Sequence, residues 1–308
     1  MTKNRRDEKM NNTRLSVSCE QGLRENLEDA FGAFKMSIPI PNQLDITFVI
    51  AADGVGGNNY GEIASALAVN SIKSFLAASL AVATAEPNSG CLAPKVITKL
   101  LVDAFNIAND AILQQAAEQP ILVGMSTTFV CALIVDDVLY VAWAGDSRCY
   151  IYSDSKIRLL TKDHSVVQQL IDEGLLDCKY AKKHPLSHTI TRFVGTEDEF
   201  AADTAICKLS HGDAILLCTD GLTDVLEDED IADSIRKYQS GKMLFKQLPH
   251  HLVRRALTCG TTDNVTIVCC EYIADPITKS KSSSSTSTGA YPAKIAETLK
   301  YLKEFTNV

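Results

Sequence analysis

Four strand-like apolar runs in this chain begin or end at an aspartate. DITFVIAAD closes on Asp53, VLYVAWAGD on Asp146 and DAILLCTD on Asp220, while NVTIVCC starts directly after Asp263. If neighbouring strands pair antiparallel, the end of one lies beside the start of the next. Four aspartates from distant parts of the chain then converge on one edge of the core. Clustered carboxylates repel each other and are costly to desolvate unless cations neutralise them. Hard divalent ions with oxygen ligands, such as Mg2+ or Mn2+, do that. The pattern predicts a metal site.

The elements that carry these residues follow from periodicity. Strands this apolar must be buried by packing against another layer. Gly61 to Ala85 and Lys95 to Ala117 have the spacing of two long, Ala-rich helices. Strands are predicted near Thr127 to Val135, Val138 to Ala144 and Cys149 to Ser153, with Asp136-Asp137 turning the first hairpin. Asp163 to Glu173 is expected to be helical, followed by a polar, irregular stretch to about Gly195. LEDEDIADSIRKY starts with acids and ends with bases, as the helix dipole favours. Strands grouped with helix pairs, rather than strict βαβ alternation, imply an α+β domain with antiparallel sheets.

Composition narrows the partners. With 46% hydrophobic and 22% charged residues, 308 residues suffice for a sizeable core. A net charge of −8 argues against nucleic acid or an anionic membrane as the main partner. The weakly polar stretch Ser74 to Ala85 is short of the roughly 20 residues of a spanning helix, so no membrane span is expected. Ten cysteines, most of them single within apolar runs and none in a CxxC pair, point to packed thiols in a reducing, cytoplasmic compartment. The segments expected are a flexible N-terminus (1–12), one main domain (13–273), a Ser-rich linker (274–290) and an amphipathic helix (291–308). That last helix, with Ile295, Leu299, Leu302 and Phe305 at helical spacing, would dock on the domain or serve a partner.

Singly, the motifs are weak. Asp-Gly dipeptides mark many turns, and Gly54, Gly56 and Gly57 do not complete a dinucleotide fingerprint, because Asn59 stands where glycine is required. Their order is informative: RENLED (24–29), ADGVGG (52–57), STT (126–128), AGDSR (144–148), HPLSHTITRFVG (184–195), TDGLTD (219–224) and TDNVTIV (262–268). The set resembles the metal-dependent protein serine/threonine phosphatases of the protein phosphatase 2C family, in a compact bacterial-type form, over residues 14 to 273. The resemblance implies a four-layer α-β-β-α sandwich of two mostly antiparallel sheets. It implies hydrolysis of phosphoserine and phosphothreonine by a metal-bridging hydroxide, on a phosphoprotein substrate and in opposition to a Ser/Thr kinase, by a monomer.

Site roles are carried over on the same terms. Asp53 and the Gly54 carbonyl would hold two Mn2+ or Mg2+ ions, Asp220 and Asp263 would complete one shell, and Glu28 and Asp29 would ligate directly or through water. Asp146, with Asp220 and Asp224, matches an acidic patch for a third ion. Arg24 matches the phosphate-binding arginine, Asn264 is expected to orient Asp263, and Ser126, Thr127 and Thr128 to satisfy backbone groups beneath the site. Arg148 is expected to pair with a carboxylate. Val55 occupies the place where many relatives have a histidine general acid. The leaving-group proton then comes either from a metal-bound water or from His184 or His188. A family member that has lost catalysis would lack a metal aspartate, and none is missing. A regulatory phosphatase acting on an anti-sigma-factor antagonist shares the chemistry and is separated only by substrate.

Overall fold

A computed structural model describes residues 13–38, 44–55, 60–85, 93–198 and 201–274. The expected N-terminal segment, nearly all of the Ser-rich linker and the last helix lie outside these residues. Two five-stranded antiparallel sheets form the centre. One has the order β1 (Thr13–Glu20), β10 (Val265–Tyr272), β9 (Ala214–Cys218), β6 (Arg148–Ser153) and β7 (Lys156–Leu159). The other has β2 (Asp29–Ile38), β3 (Leu44–Asp53), β4 (Phe129–Val135), β5 (Val138–Ala144) and β8 (Asp203–Lys208). Helices α1 (Gly61–Ala85) and α2 (Pro94–Glu118) cover the outer face of the second sheet. Past a single helical turn α4 (Asp220–Thr223), helices α5 (Asp228–Gln239) and α6 (Leu248–Thr258) cover the first. The layers are α-β-β-α, as expected.

The continuous apolar strands are explained by burial on both faces. Along β3, Ile46, Phe48, Ile50 and Ala52 point to the helices, while Val49 and Ala51 point to the other sheet. Along β10, Val265, Ile267 and Cys269 meet α5 and α6, while Val268 and Cys270 meet the opposing sheet. Period-two alternation thus survives as a choice between two dry interfaces. The cysteines fit this role: Cys131, Cys149, Cys218, Cys269 and Cys270 are buried and free.

Phe48 is almost wholly buried and meets Phe34 edge-on, with ring centroids 5.0 Å apart. Phe48→Ala is expected to cost about 3–5 kcal/mol, read as a lower denaturant midpoint at unchanged slope.

Two expectations need correction. The helix placed from Asp163 is α3 (Val166–Asp172), capped by Ser165, whose hydroxyl accepts from Gln168 N–H at 3.3 Å. Asp163 is engaged by Arg148 instead. The apolar stretch read from Ser74 begins earlier: Gly61–Val82 is long and apolar enough to cross a membrane by composition alone. Here its Ala64, Ala68, Ile72, Phe75, Leu76 and Leu80 are core residues against α2 and the sheet, which accounts for the apolarity.

Candidate metal centre

Register brings the acids together. In the β2–β3 pair, Asp29 lies directly opposite Asp53. Asp146 follows β5 on the crossing to β6, Asp220 follows β9, and Asp263 precedes β10, the antiparallel neighbour of β9. Each strand delivers its aspartate to the same edge of the sandwich.

Backbone contacts fix that edge. The Asp53 carbonyl accepts from Thr128 N–H and from the Thr127 hydroxyl, each at 2.8 Å. The Glu28 carbonyl accepts from Gly54 N–H at 3.1 Å and from the Ser65 hydroxyl at 2.6 Å. Gly54 is obligatory there, because a Cβ would lie 2.3 Å from the Gly61 carbonyl oxygen. Gly221 is equally constrained, its missing Cβ falling 2.0 Å from the Asn264 carbonyl oxygen. The two Asp-Gly dipeptides are therefore sites of backbone contact, rather than mere turns.

Electrostatically the cluster is under tension. Burial, then Asp220, Asp29 and Asp146, push the Asp53 carboxyl well above its ordinary range. Asp146 is pushed up likewise, by burial and then by Asp220. Asp29 rises to about 7 and Asp220 to about 6, burial leading in both. Asp224 and Glu28 are also raised, again chiefly by burial. Without a cation, ionising all of these acids together is opposed by burial and by their mutual repulsion. Asp29 Oδ1 and Asp220 Oδ1 are shielded from solvent and have no hydrogen-bond partner among the described residues. An all-oxygen donor set with buried, unpartnered oxygens fits hard divalent cations.

The structure gathers Asp29, Asp53, Asp146, Asp220 and Asp263, which interact electrostatically, and sets Asp224 beside them. His188 joins this edge: its Nδ1 is 3.6 Å from Asp224 Oδ2, and potential ligand atoms of His188, Asp220 and Asp224 lie within 4.8 Å of one another. The path is the bridge between Thr127 and Val194, which draws the stretch after α3 against the site. His184 does not share it; its Nδ1 accepts locally from Leu186 N–H at 3.2 Å.

Three further side chains have defined partners here. The Asn264 side chain clamps the turn before β2, accepting from Glu28 N–H at 2.6 Å and donating to the Gln21 and Asn26 carbonyls at 2.7 and 3.0 Å. Only its backbone N–H holds Asp263, at 2.8 Å. Arg24 is half exposed and bidentate on Asp263, with Nε donating to Oδ1 at 2.8 Å. The Thr128 hydroxyl meets that of Ser147 at 2.7 Å.

Arg148 grips Asp163 through two nitrogens, as expected, with Nη2 to Oδ2 at 2.6 Å. Sequence reasoning missed Thr219, whose buried hydroxyl donates to Asp29 Oδ2 at 2.9 Å across the two sheets. A polar residue closing an apolar strand was its one signal. Lys182, in the polar stretch after α3, leaves a short 3-10 turn (Cys178–Lys183) to bind Glu227 Oε1 at 2.8 Å and roof the cleft lined by Asp146, His188 and Asp220.

Residues 25–254 match the family model described as protein phosphatase 2C. The serine/threonine phosphatase stp of Listeria welshimeri is 29% identical over 249 residues, 81% of this chain and 91% of that one. The crystal structure of the Mycobacterium tuberculosis serine/threonine phosphatase PstP/Ppp superposes with a TM-score of 0.69 at 31% identity, covering 85% of this chain and 99% of that one. The PstP catalytic domain solved in complex with two manganese ions gives 0.66 at 29% identity, covering 85% and 98%.

Proposed function

Because the chain belongs to the protein phosphatase 2C family, a metal-dependent protein serine/threonine phosphatase, we propose that its strand-end carboxylates form the dinuclear metal centre that hydrolyses phosphoserine and phosphothreonine. The observation that carries this reading is the convergence of five aspartates, two with unpartnered buried oxygens, on one edge of the sandwich. Asp53 and the Gly54 carbonyl would hold two Mn2+ or Mg2+ ions, with Asp220, Asp263, Glu28 and Asp29 completing the shells. Asp146 and Asp224 are assigned to a third ion. Two such ions would supply an acidified water as nucleophile and offset the charge of the phosphoryl oxygens.

The protein's own groups do the rest. Arg24 is exposed beside the cluster and already in a bidentate geometry. The same planar fork suits a phosphate dianion, and Asp263 would then be available to hold a cation. Asn264 fixes the turn that carries Arg24 and Glu28, and Thr219 fixes the carboxylate of Asp29. Val55 offers no proton for the leaving alkoxide, and of the two candidate histidines His188 is the one that faces the cluster. His188→Ala is expected to lower kcat about tenfold, less than a buried general acid contributes because the ring is largely exposed, while His184→Ala stays within about twofold. A His188→Ala defect that shrinks on p-nitrophenyl phosphate, whose leaving group needs no proton, checks the assignment.

Within this reading the catalytic unit is 13–273, a cytoplasmic monomer that opposes a Ser/Thr kinase and binds no nucleic acid. The decisive experiment is phosphate release from a phosphothreonine peptide in EDTA, Mg2+ or Mn2+. Turnover is expected only with metal, with little on phosphotyrosine. A folded protein inert under every metal would overturn the proposal.

A further inference from the structure

Helices α5 and α6 run antiparallel, and their two ends differ in charge. At one end Asp230 pairs with Arg255, the Tyr150 hydroxyl donates to Asp228, and Glu227 takes Lys182 from the roof of the carboxylate cleft. That end borders the metal centre. At the other, Gln239 donates to the Gly212 carbonyl, beyond the far ends of β9 and β10. Twelve helical residues separate the ends, roughly 18 Å at 1.5 Å per residue.

At the far end a surface cleft of about 670 Å3 opens between the C-terminus of α5 and the first half of α6. Lys237, Lys242 and Arg254 line it, with His250, His251 and Gln247 between them, and no aspartate or glutamate. Neighbouring arginines are neutralised, Arg236 by Glu229 and Asp233 and Arg255 by Asp230; the three cleft cations make no ion pair among the described residues. The first turn of α6 carries no acid, and because the positive end of its dipole meets the negative end of that of α5 here, the positive field comes from the side chains. In a chain of net charge −8, this is a local reversal of sign in a concave surface.

Resting on the phosphatase reading of the carboxylate edge, we propose that this cleft docks an acidic or phosphorylated segment of the protein substrate, apart from the phosphoresidue being hydrolysed. At the carboxylate edge Lys182 is already taken by Glu227 and Arg148 by Asp163, whereas the cleft cations make no ion pair among the described residues, so an acidic determinant gains its attraction at the far end of α5. The spacing follows from the helix: an extended peptide needs at least about six residues to cover 18 Å. Substrates with acidic clusters nearer than that derive no benefit from the cleft.

The test compares two phosphothreonine peptides that differ ten residues from the phosphate, one with four glutamates and one with four glutamines. The acidic peptide is expected to show a KM about tenfold lower at equal kcat. Combining Lys237→Ala, Lys242→Ala and Arg254→Ala should erase the difference and leave p-nitrophenyl phosphate hydrolysis unchanged. Lys95→Ala with Lys156→Ala, which removes exposed charge elsewhere, should preserve it. Equal KM values for the two peptides, or an equal loss in the control variant, overturn the docking site. Fluorescence anisotropy of a phosphate-free acidic peptide in EDTA measures the cleft without turnover. Binding lost in the triple variant supports the site even if catalysis fails, and no binding to the parent overturns it.

Discussion

Asp53→Asn is expected to reduce phosphate release on the order of a thousandfold or more, about 4 kcal/mol of barrier, while leaving the fold intact. The residue stands at the centre of the cluster, opposite Asp29 and sharing a hydrogen bond with Asp220. Asparagine keeps the shape and the backbone contacts to Thr127 and Thr128, but removes the charge that would bridge cations. The metal-free variant should melt no lower than the metal-free parent at pH 8, because the substitution deletes a carboxyl that burial penalises when ionised. Added Mn2+ should raise the melting temperature of the parent far more than that of the variant. Retained turnover in purified Asp53→Asn would contradict the assignment, and a collapsed circular dichroism spectrum would show that the residue is needed for folding.

Removing metal should also change how stability depends on pH. Asp29 is held up at about 7 and Asp220 at about 6, against an ordinary 3.8. The unfolded chain therefore releases these protons at lower pH than the folded one. Between about pH 4 and pH 7 the folded state binds the greater number of protons, so this contribution to stability falls as pH rises. In EDTA the melting temperature is expected to drop on the order of 10 °C from pH 5 to pH 8, given about 2–4 °C per kcal/mol for a domain of this size. Saturating Mn2+ should abolish most of that drop, since a cation then does what the protons did. Parallel melting curves with and without metal would show that these carboxylates are not the ligands.

Much of the site could be read from the chain because its signals are local. An apolar run that ends in aspartate reports both a buried strand and a charge at its tip, so Asp53, Asp146, Asp220 and Asp263 needed no tertiary information. Asp29 came from the resemblance, and the strand register then set it opposite Asp53. The partners that Asn264 and Arg24 take here were out of reach, since each lies more than 230 positions away. Periodicity carries nothing about such partners. The start of α3 was misplaced for a similar reason: Asp163 is as good a helix-capping residue as Ser165, and only the pull of Arg148 takes it out of contention. His184 and His188 are equivalent as sequence, four residues apart in one polar segment. Backbone bridges to Thr127 and Ser165 make them different.

The carboxylates are divided between the sheets. Asp29 and Asp53 belong to one, Asp220 and Asp263 flank strands of the other, and Asp146 lies on the crossing. Neither half holds a complete ligand set, so strands that have formed but not yet stacked present no high-affinity site. On the proposed ligand set, metal uptake is expected late in assembly, as a reporter of the closed sandwich rather than of its strands. In a refolding experiment, the appearance of tight Mn2+ binding would date the moment at which the two halves lock.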